Sequence, residues 1–451
     1  KRPGFSGWVG VSRWDITPPT PIYARNWGAA EHDFAEGVHM PLTGTAFAFA
    51  EEGGGAPRVL VSLELGFFRS KAEEWRLRSA LMQGCSLKEE DLIVHLTHTH
   101  AGPGTEYDLE DRYEAPVATQ YLEEMEAECI QGILTALKDL QPAHLIVGRG
   151  LCPLATNRDF PSPESPETWL CGFNPEVEAD STLLVGQVID PDGRIRATLV
   201  NYACHPTTLA WQNKKISPDF PGPMRALVEE QTGAPCLYYN GACGELSPAC
   251  QYTADVSIVE RNGQQLGYAV LSVLAELANC PGGLVYLRAV DSGAPLAEWS
   301  ARPLELDRTI SSQILEVFLP VKSGIPTVAE LEAQLQVADE AFVRERLRRK
   351  LKWVREFAGL SESEERVWAW RLGDLVLLAH PFEAYSALQV QLREWAGAEN
   401  PVLVGNRTNG WGGYLPPESE YGKDLYQVWQ TPFDCGSLEK LIGVYREFLD
   451  G

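Results

Sequence analysis

The chain has 451 residues, 44% of them hydrophobic and 22% charged, the balance of a folded globular protein with room for one large α/β domain or two ordinary ones. Its formal net charge of −24 argues against a basic face for nucleic acid or for an anionic membrane surface, and fits a small or neutral substrate. No apolar run is long enough for a transmembrane segment.

The opening Lys1-Arg-Pro-Gly-Phe5 has neither an initiator Met nor a following apolar h-region, so it leaves the compartment undecided. The ten cysteines form no C-x-x-C pair, and many sit in apolar or small-residue settings such as Ala203-Cys-His205 and Ala242-Cys-Gly244. That is the pattern of buried free thiols, and it favours a reducing, cytoplasmic compartment.

Hydrophobic periodicity predicts strands over 43–49 and 58–63, then a helix over 70–83. The next strand, over 92–96, feeds Thr97-His98-Thr-His100-Ala-Gly-Pro-Gly104. Imidazoles at i and i+2 of an extended chain share one side, and ligands collect at strand ends in α/β proteins. His98 and His100 are therefore either metal ligands and acid/base groups or two polar residues satisfied by backbone.

A helix over 119–140 and strands over 144–149 and 197–203 follow. The last of these repeats the pattern, delivering His205 ahead of the strand-stopping Pro206. Asp219-Phe-Pro-Gly222 reads as a turn before a helix over 223–231, or as part of a site. A strand over 236–239 runs into the Gly-studded loop Asn240-Gly-Ala-Cys-Gly-Glu-Leu-Ser247-Pro248, where polar groups and permissive glycines allow a ligand contact or a capped tight turn.

Farther on come a helix over 256–278, strands over 283–290 and 313–321, and one long helix over 328–360. The latter carries the run Val343-Arg-Glu-Arg-Leu-Arg-Arg-Lys-Leu-Lys352, which reads as a solvated face. A strand over 366–378 ends at His380-Pro-Phe-Glu383, with Glu383 a ligand candidate or a cap at the start of a helix over 382–396. A short strand at 402–404 leads to Asn406-Arg-Thr-Asn-Gly-Trp-Gly-Gly-Tyr414, too Gly-rich for a helix and suited to lining a site. A helix over 437–449 closes the chain.

This alternation predicts an α/β fold: a layered mixed β-sheet flanked by helices, forming one large domain across 1–451 with a soft subdomain boundary around 280–330.

Taken in order, Thr97–Gly104, Asn157-Arg158, Asn201–His205, Gly244–Pro248, Pro381–Glu383 and the 409–426 loop resemble the neutral/alkaline (non-lysosomal) ceramidase family. Val9-Gly-Val-Ser-Arg-Trp-Asp-Ile-Thr-Pro18 is similar to how many bacterial members begin. The resemblance implies a zinc-dependent hydrolase of an amide bond in an N-acyl compound, small or lipid-like, with the whole domain as the catalytic unit. It also implies the site. The Zn²⁺ ligands would be His98, His205, Glu383 and Tyr414, a nitrogen and oxygen set suited to that ion. Proton transfer would fall to His100, with Arg158, Tyr426 and Ser247 as further active-site residues; Tyr426 stands twelve positions after Tyr414, as in the family's pair.

Ser247 is read as a substrate contact or a nucleophile. Gly244-Glu-Leu-Ser-Pro-Ala249 replaces the family's Gly-Asp-x-Ser-Pro-Asn, and the chain stops too soon after the last motif for the C-terminal immunoglobulin-like domain of ceramidases. The resemblance leaves secretion open. The competing readings are an esterase or another N-acyl-metabolite hydrolase at the same site, a metal-independent serine hydrolase using Ser247, and a non-catalytic binding protein with structural zinc.

Overall fold

Period-two alternation along the strands sorts their side chains between cores. In Thr43–Ala50, Ala46 and Ala48 enter one cluster and Phe47 and Phe49 another. In Leu375–Ala379, Leu375, Leu377 and Ala379 join the Phe47 cluster, whereas Val376 and Leu378 face away from it. The computed structural model, which describes residues 2–107, 115–165 and 167–451, shows what this sorting builds.

Eight strands form one mixed sheet in the order Cys236–Asn240, Ile195–Tyr202, Thr182–Ile189, Gln141–Leu151, Gly4–Asp15, Thr43–Ala50, Arg58–Leu63, Leu92–Leu96. Four more, Ile310–Pro320, Glu362–Leu372, Leu375–Ala379 and Val402–Gly405, form a second sheet. Inward side chains of both sheets, among them Phe5, Phe49, Leu199, Tyr239, Trp368 and Trp370, make a single hydrophobic cluster. Helices cover the outer faces: Lys71–Cys85 and Ala115–Lys138 on one part of the large sheet, Pro221–Thr232 and Val256–Asn279 on another, Ala387–Ala396 and Ser437–Asp450 on the small sheet. Among the described residues no helix is long and apolar enough to cross a membrane.

Three strand–helix–strand units fix the site. Each ends in a parallel pair: Arg58–Leu63 with Leu92–Leu96, Ile195–Tyr202 with Cys236–Asn240, and Leu375–Ala379 with Val402–Gly405. The large sheet curls until its two edges approach, so that Ser62 Oγ donates to the Tyr238 carbonyl at 2.7 Å and the Asn240 N–H donates to His95 Nε2 at 3.0 Å. The loop after Val402–Gly405 stitches into the gap, its Asn406 N–H donating to the Asn240 carbonyl and its Asn409 N–H to the Val94 carbonyl, each at 3.0 Å. The carboxyl ends of all three units therefore meet in one place, where α/β folds bind ligands.

The predicted α/β layering is present, and the second sheet adds a layer to it. Two predicted elements divide. The 366–378 strand is a hairpin turning at Gly373, whose φ of 59° suits glycine. The 328–360 helix is two helices, Val328–Val337 and Ala341–Phe357, that bury Leu331 against Leu351 and Val354; no glycine or proline marks that break. Gly4–Asp15, a central strand, is missed because its glycines dilute the apolar pattern. Gly10 lies against the Ala136 backbone, where a Cβ would collide.

Candidate metal-binding active site

The two histidines of the first motif do not lie on a strand. Strand pairing stops at Leu96, and His98 adopts φ 73°, in the left-handed region that non-glycine residues avoid. The turn is held by backbone bonds: Thr97 N–H donates to Leu63 O and His98 N–H to Leu65 O, each at 2.9 Å. It places the His98 ring 4.8 Å from His100 and 4.9 Å from His205. The i, i+2 strand argument for this pair is thereby corrected: a strained turn, not an extended chain, brings the imidazoles together.

His98 Nδ1 donates to the Gly66 carbonyl at 3.0 Å, and buried His205 Nδ1 donates to the Cys243 and Leu246 carbonyls at 2.6 and 3.1 Å. A carbonyl only accepts, so each ring carries a proton on Nδ1 and leaves Nε2 as the atom able to bind a cation. Burial, with Arg158 nearby, pushes His205 down to about 3, so it is neutral. Both Nε2 atoms face Glu383 Oε2, at 3.3 Å from His98 and 3.1 Å from His205.

Glu383 is not a helix cap. It sits on a two-residue strand whose register partner is Tyr414, and the following helix begins only at Ala387. Burial would raise its carboxyl, whereas the buried Arg407 guanidinium, 3.7 Å from Oε1, favours the ionised form. Tyr414 stacks on the His205 ring and accepts from Arg158 Nη2 at 3.2 Å. Burial and the Glu383 charge raise its phenol well above the ordinary value.

Lone pairs aimed at a carboxylate at these distances repel unless a cation lies between them. The donor chemistry thus fits a divalent ion, and carbonyl-fixed imidazoles are the usual support for one. Among the described residues the histidine, cysteine and carboxylate groups able to hold a metal include His98, His100 and His205, whose ligand atoms all lie within 4.8 Å of one another. His100 Nε2 has no hydrogen-bond partner. Its ring packs between Trp27 and Phe67, at 5.2 and 5.7 Å, and burial with His98 and His205 beside it lowers its pKa well below the ordinary value.

A cavity of about 370 Å³ opens on these groups, with His98, His100, Glu383, Tyr414 and Tyr426 in its wall. Tyr426 is part-exposed at the start of a short helix, its ring 5.7 Å from Tyr414. Arg158 is buried and bonded to the Gly244 carbonyl as well as to Tyr414, so it orients the phenol from behind. Ser247 is buried, accepts from Gln251 Nε2 at 2.8 Å, and is not in the cavity wall. Asp219 caps its own turn by accepting from the Phe220 and Leu209 N–H groups. The sequence reading missed Arg407, although it lies in the quoted 406–414 segment; nothing local distinguished it from the loop's other polar residues.

The profile described as neutral/alkaline non-lysosomal ceramidase, N-terminal, matches residues 8–241, more than half of the chain. The chain belongs to that family. Neutral ceramidase B of Dictyostelium discoideum is 26% identical over 236 residues, covering 50% of this chain and 32% of that protein; the match spans about a third of that relative's length. Two solved structures share the fold across 100% of this chain at 17% identity. A ceramidase complexed with C2 has a TM-score of 0.70 over 75% of its own chain. The neutral ceramidase from Pseudomonas aeruginosa has 0.68 over 74%. His98, His100, Arg158 and His205 fall inside the matched family segment; Glu383, Tyr414 and Tyr426 lie beyond it.

One neighbour of the site gives a pH signature. Glu245, in the Gly244–Pro248 loop, accepts from the Ser386 N–H at 3.0 and 2.9 Å and from its hydroxyl. Burial outweighs those bonds and raises its carboxyl to about 7. Between the unfolded value near 4.5 and about 7 the folded chain keeps a proton that the unfolded chain has released, so this group makes stability fall as pH rises through that window. Urea midpoints measured from pH 5 to 8 are expected to decline less steeply in Glu245→Gln than in the parent.

Proposed function

We propose that the chain is a zinc-dependent hydrolase that cleaves the amide bond of an N-acyl compound, of the kind after which its relatives are named, and that both sheets form one catalytic unit. The observation that carries this reading is the pair of carbonyl-locked imidazoles presenting Nε2 lone pairs to an ionised, buried carboxylate. His98, His205, Glu383 and Tyr414 would hold the ion, and zinc there would supply Lewis-acid activation of the carbonyl and of water.

The protein groups do the rest. Neutral His100, on the cavity wall, takes a proton from the attacking water as its oxygen bonds to the carbonyl carbon, and returns it to nitrogen as the C–N bond breaks. The Tyr426 hydroxyl donates to the developing oxyanion, a contact worth about 2.7–4 kcal/mol. Arg158 keeps Tyr414 oriented through its bonds to Gly244 and the phenol oxygen. Ser247, with its hydroxyl engaged by Gln251 outside the cavity wall, takes no proton-transfer role.

The test is metal analysis of the purified protein, with turnover of N-acyl amides and matched esters before and after chelation. Loss of amide cleavage on chelation and its return with Zn²⁺ is expected. Full activity in metal-free protein would sink the proposal.

A further inference from the structure

The cavity's charge is opposite to that of the chain. Its wall includes Arg69, Arg346, Arg349, Lys350, Lys352 and Arg407 against one carboxylate, Glu383, in a protein of net charge −24. Four of these cations come from the Ala341–Phe357 helix, which is part of an excursion between two antiparallel strands of the small sheet. Positions 346, 349, 350 and 353 share one helical face, so that face turns Arg346, Arg349, Lys350 and Trp353 toward the cavity. The run read from sequence as a solvated face is solvent-accessible, and part of it lines this open cavity.

Some of this charge is already answered. Lys352 lies 3.1 Å from Glu73, and Arg69 lies 3.1 Å from Glu106. Arg346 and Lys350 have no acidic partner among the described residues; the Arg346 guanidinium stands over the Trp429 ring at 5.1 Å, and Trp429 touches Tyr426. A cleft lined by one sign of charge concentrates ligands of the other sign. Guanidinium and ammonium groups beside aromatic walls suit a molecule with an apolar part and an oxyanion.

We propose that the substrate of this site carries an anionic group, carboxylate or phosphate, near its N-acyl linkage, and that Arg346 and Lys350 bind it. The inference rests on the proposed amide hydrolysis and narrows its substrate class from N-acyl compounds in general to acidic ones. A flat basic face would suit an anionic surface; here the cations line a concavity that opens on His98 and His100, which favours a single molecule drawn inside.

The experiment compares N-dodecanoylglycine, N-dodecanoyl-phosphoethanolamine and N-dodecanoylethanolamine as substrates of the full, metal-loaded chain. They share an acyl group and differ in carrying a carboxylate, a phosphate or no charge. At least one acidic compound is expected to exceed the neutral one by about tenfold in kcat/KM, and Arg346→Glu/Lys350→Glu to erase that preference. Whichever acidic compound leads identifies the oxyanion. Arg346→Gln/Lys350→Gln gives the same readout with less perturbation if the charge reversal unfolds.

Equal or faster cleavage of the neutral compound overturns the inference and leaves amide hydrolysis standing. Cleavage of none of the three counts against the proposed function instead. Calorimetric titration with N-dodecanoylglycine then still decides the inference, which fails if the parent and the double variant bind it alike. Loss of co-sedimentation with phosphatidylglycerol vesicles in the double variant, with substrate preference intact, would assign the cations to a lipid surface and overturn it as well.

Discussion

Replacing His98 or His205 by alanine is expected to remove the metal and the activity together. Each imidazole is tied down by its Nδ1 proton on a backbone carbonyl, at Gly66 for His98 and at Cys243 and Leu246 for His205. Each therefore offers one fixed donor atom, and removing it takes one ligand from the proposed set. Lewis-acid activation is worth several kcal/mol, so kcat/KM should fall by about 10³-fold or more. His100→Ala is expected to behave differently, losing about 10²–10⁴-fold in kcat as a proton-transfer group while retaining zinc. Elemental analysis of the three variants checks the assignment. Metal loss from His100→Ala would move His100 into the ligand set, an arrangement its distance to His98 and His205 permits. Full zinc and full turnover in His98→Ala or His205→Ala would remove the proposed site.

The candidate metal-site residues were legible in sequence for reasons partly different from those the structure supplies. His205 was read from a strand delivering it, and the structure puts it three residues past the end of Ile195–Tyr202. His98 was read from strand alternation, and a left-handed turn does that work. Glu383 was weighed as a helix cap, yet it faces inward because a two-residue strand pairs it with Tyr414. Such a contact joins segments some thirty residues apart, and no local pattern reports it. What the basic helix lines was not legible for a related reason. Its charges are solvent-accessible, as read, but sequence shows which residues share a helical face and not which cavity that face lines. The second sheet escaped notice because strands of both sheets alternate in the same way, and only the shared Phe5–Trp370 cluster reveals that two layers oppose each other.

Glu64→Gln is expected to produce the largest loss of stability among single changes around the site. Glu64 and Arg225 are both buried and meet through two contacts, Nε to Oε1 at 2.9 Å and Nη2 to Oε2 at 3.3 Å. Oε2 also accepts from the Thr43 N–H at 2.7 Å and the Thr43 hydroxyl at 3.0 Å. Neutralising Glu64 removes the nearer of the buried guanidinium's two counter-charges and leaves only Glu229, 3.6 Å from Nη1, at a cost of up to about 3–5 kcal/mol. Removing both charges, as in Glu64→Leu/Arg225→Met, leaves no orphaned ion, and the expected cost is about 1–3 kcal/mol, from the Thr43 donors that lose their acceptor. The double variant should therefore unfold at a higher urea concentration than Glu64→Gln. Activity should follow the same order. The two residues after Glu64 supply the Leu65 and Gly66 carbonyls that hold the His98 backbone and ring, so the ion pair that joins the Pro221–Thr232 helix to this strand end also fixes a proposed metal ligand. A double variant no more stable than the single one would show that the pair itself, rather than an exposed charge defect, carries the stabilisation.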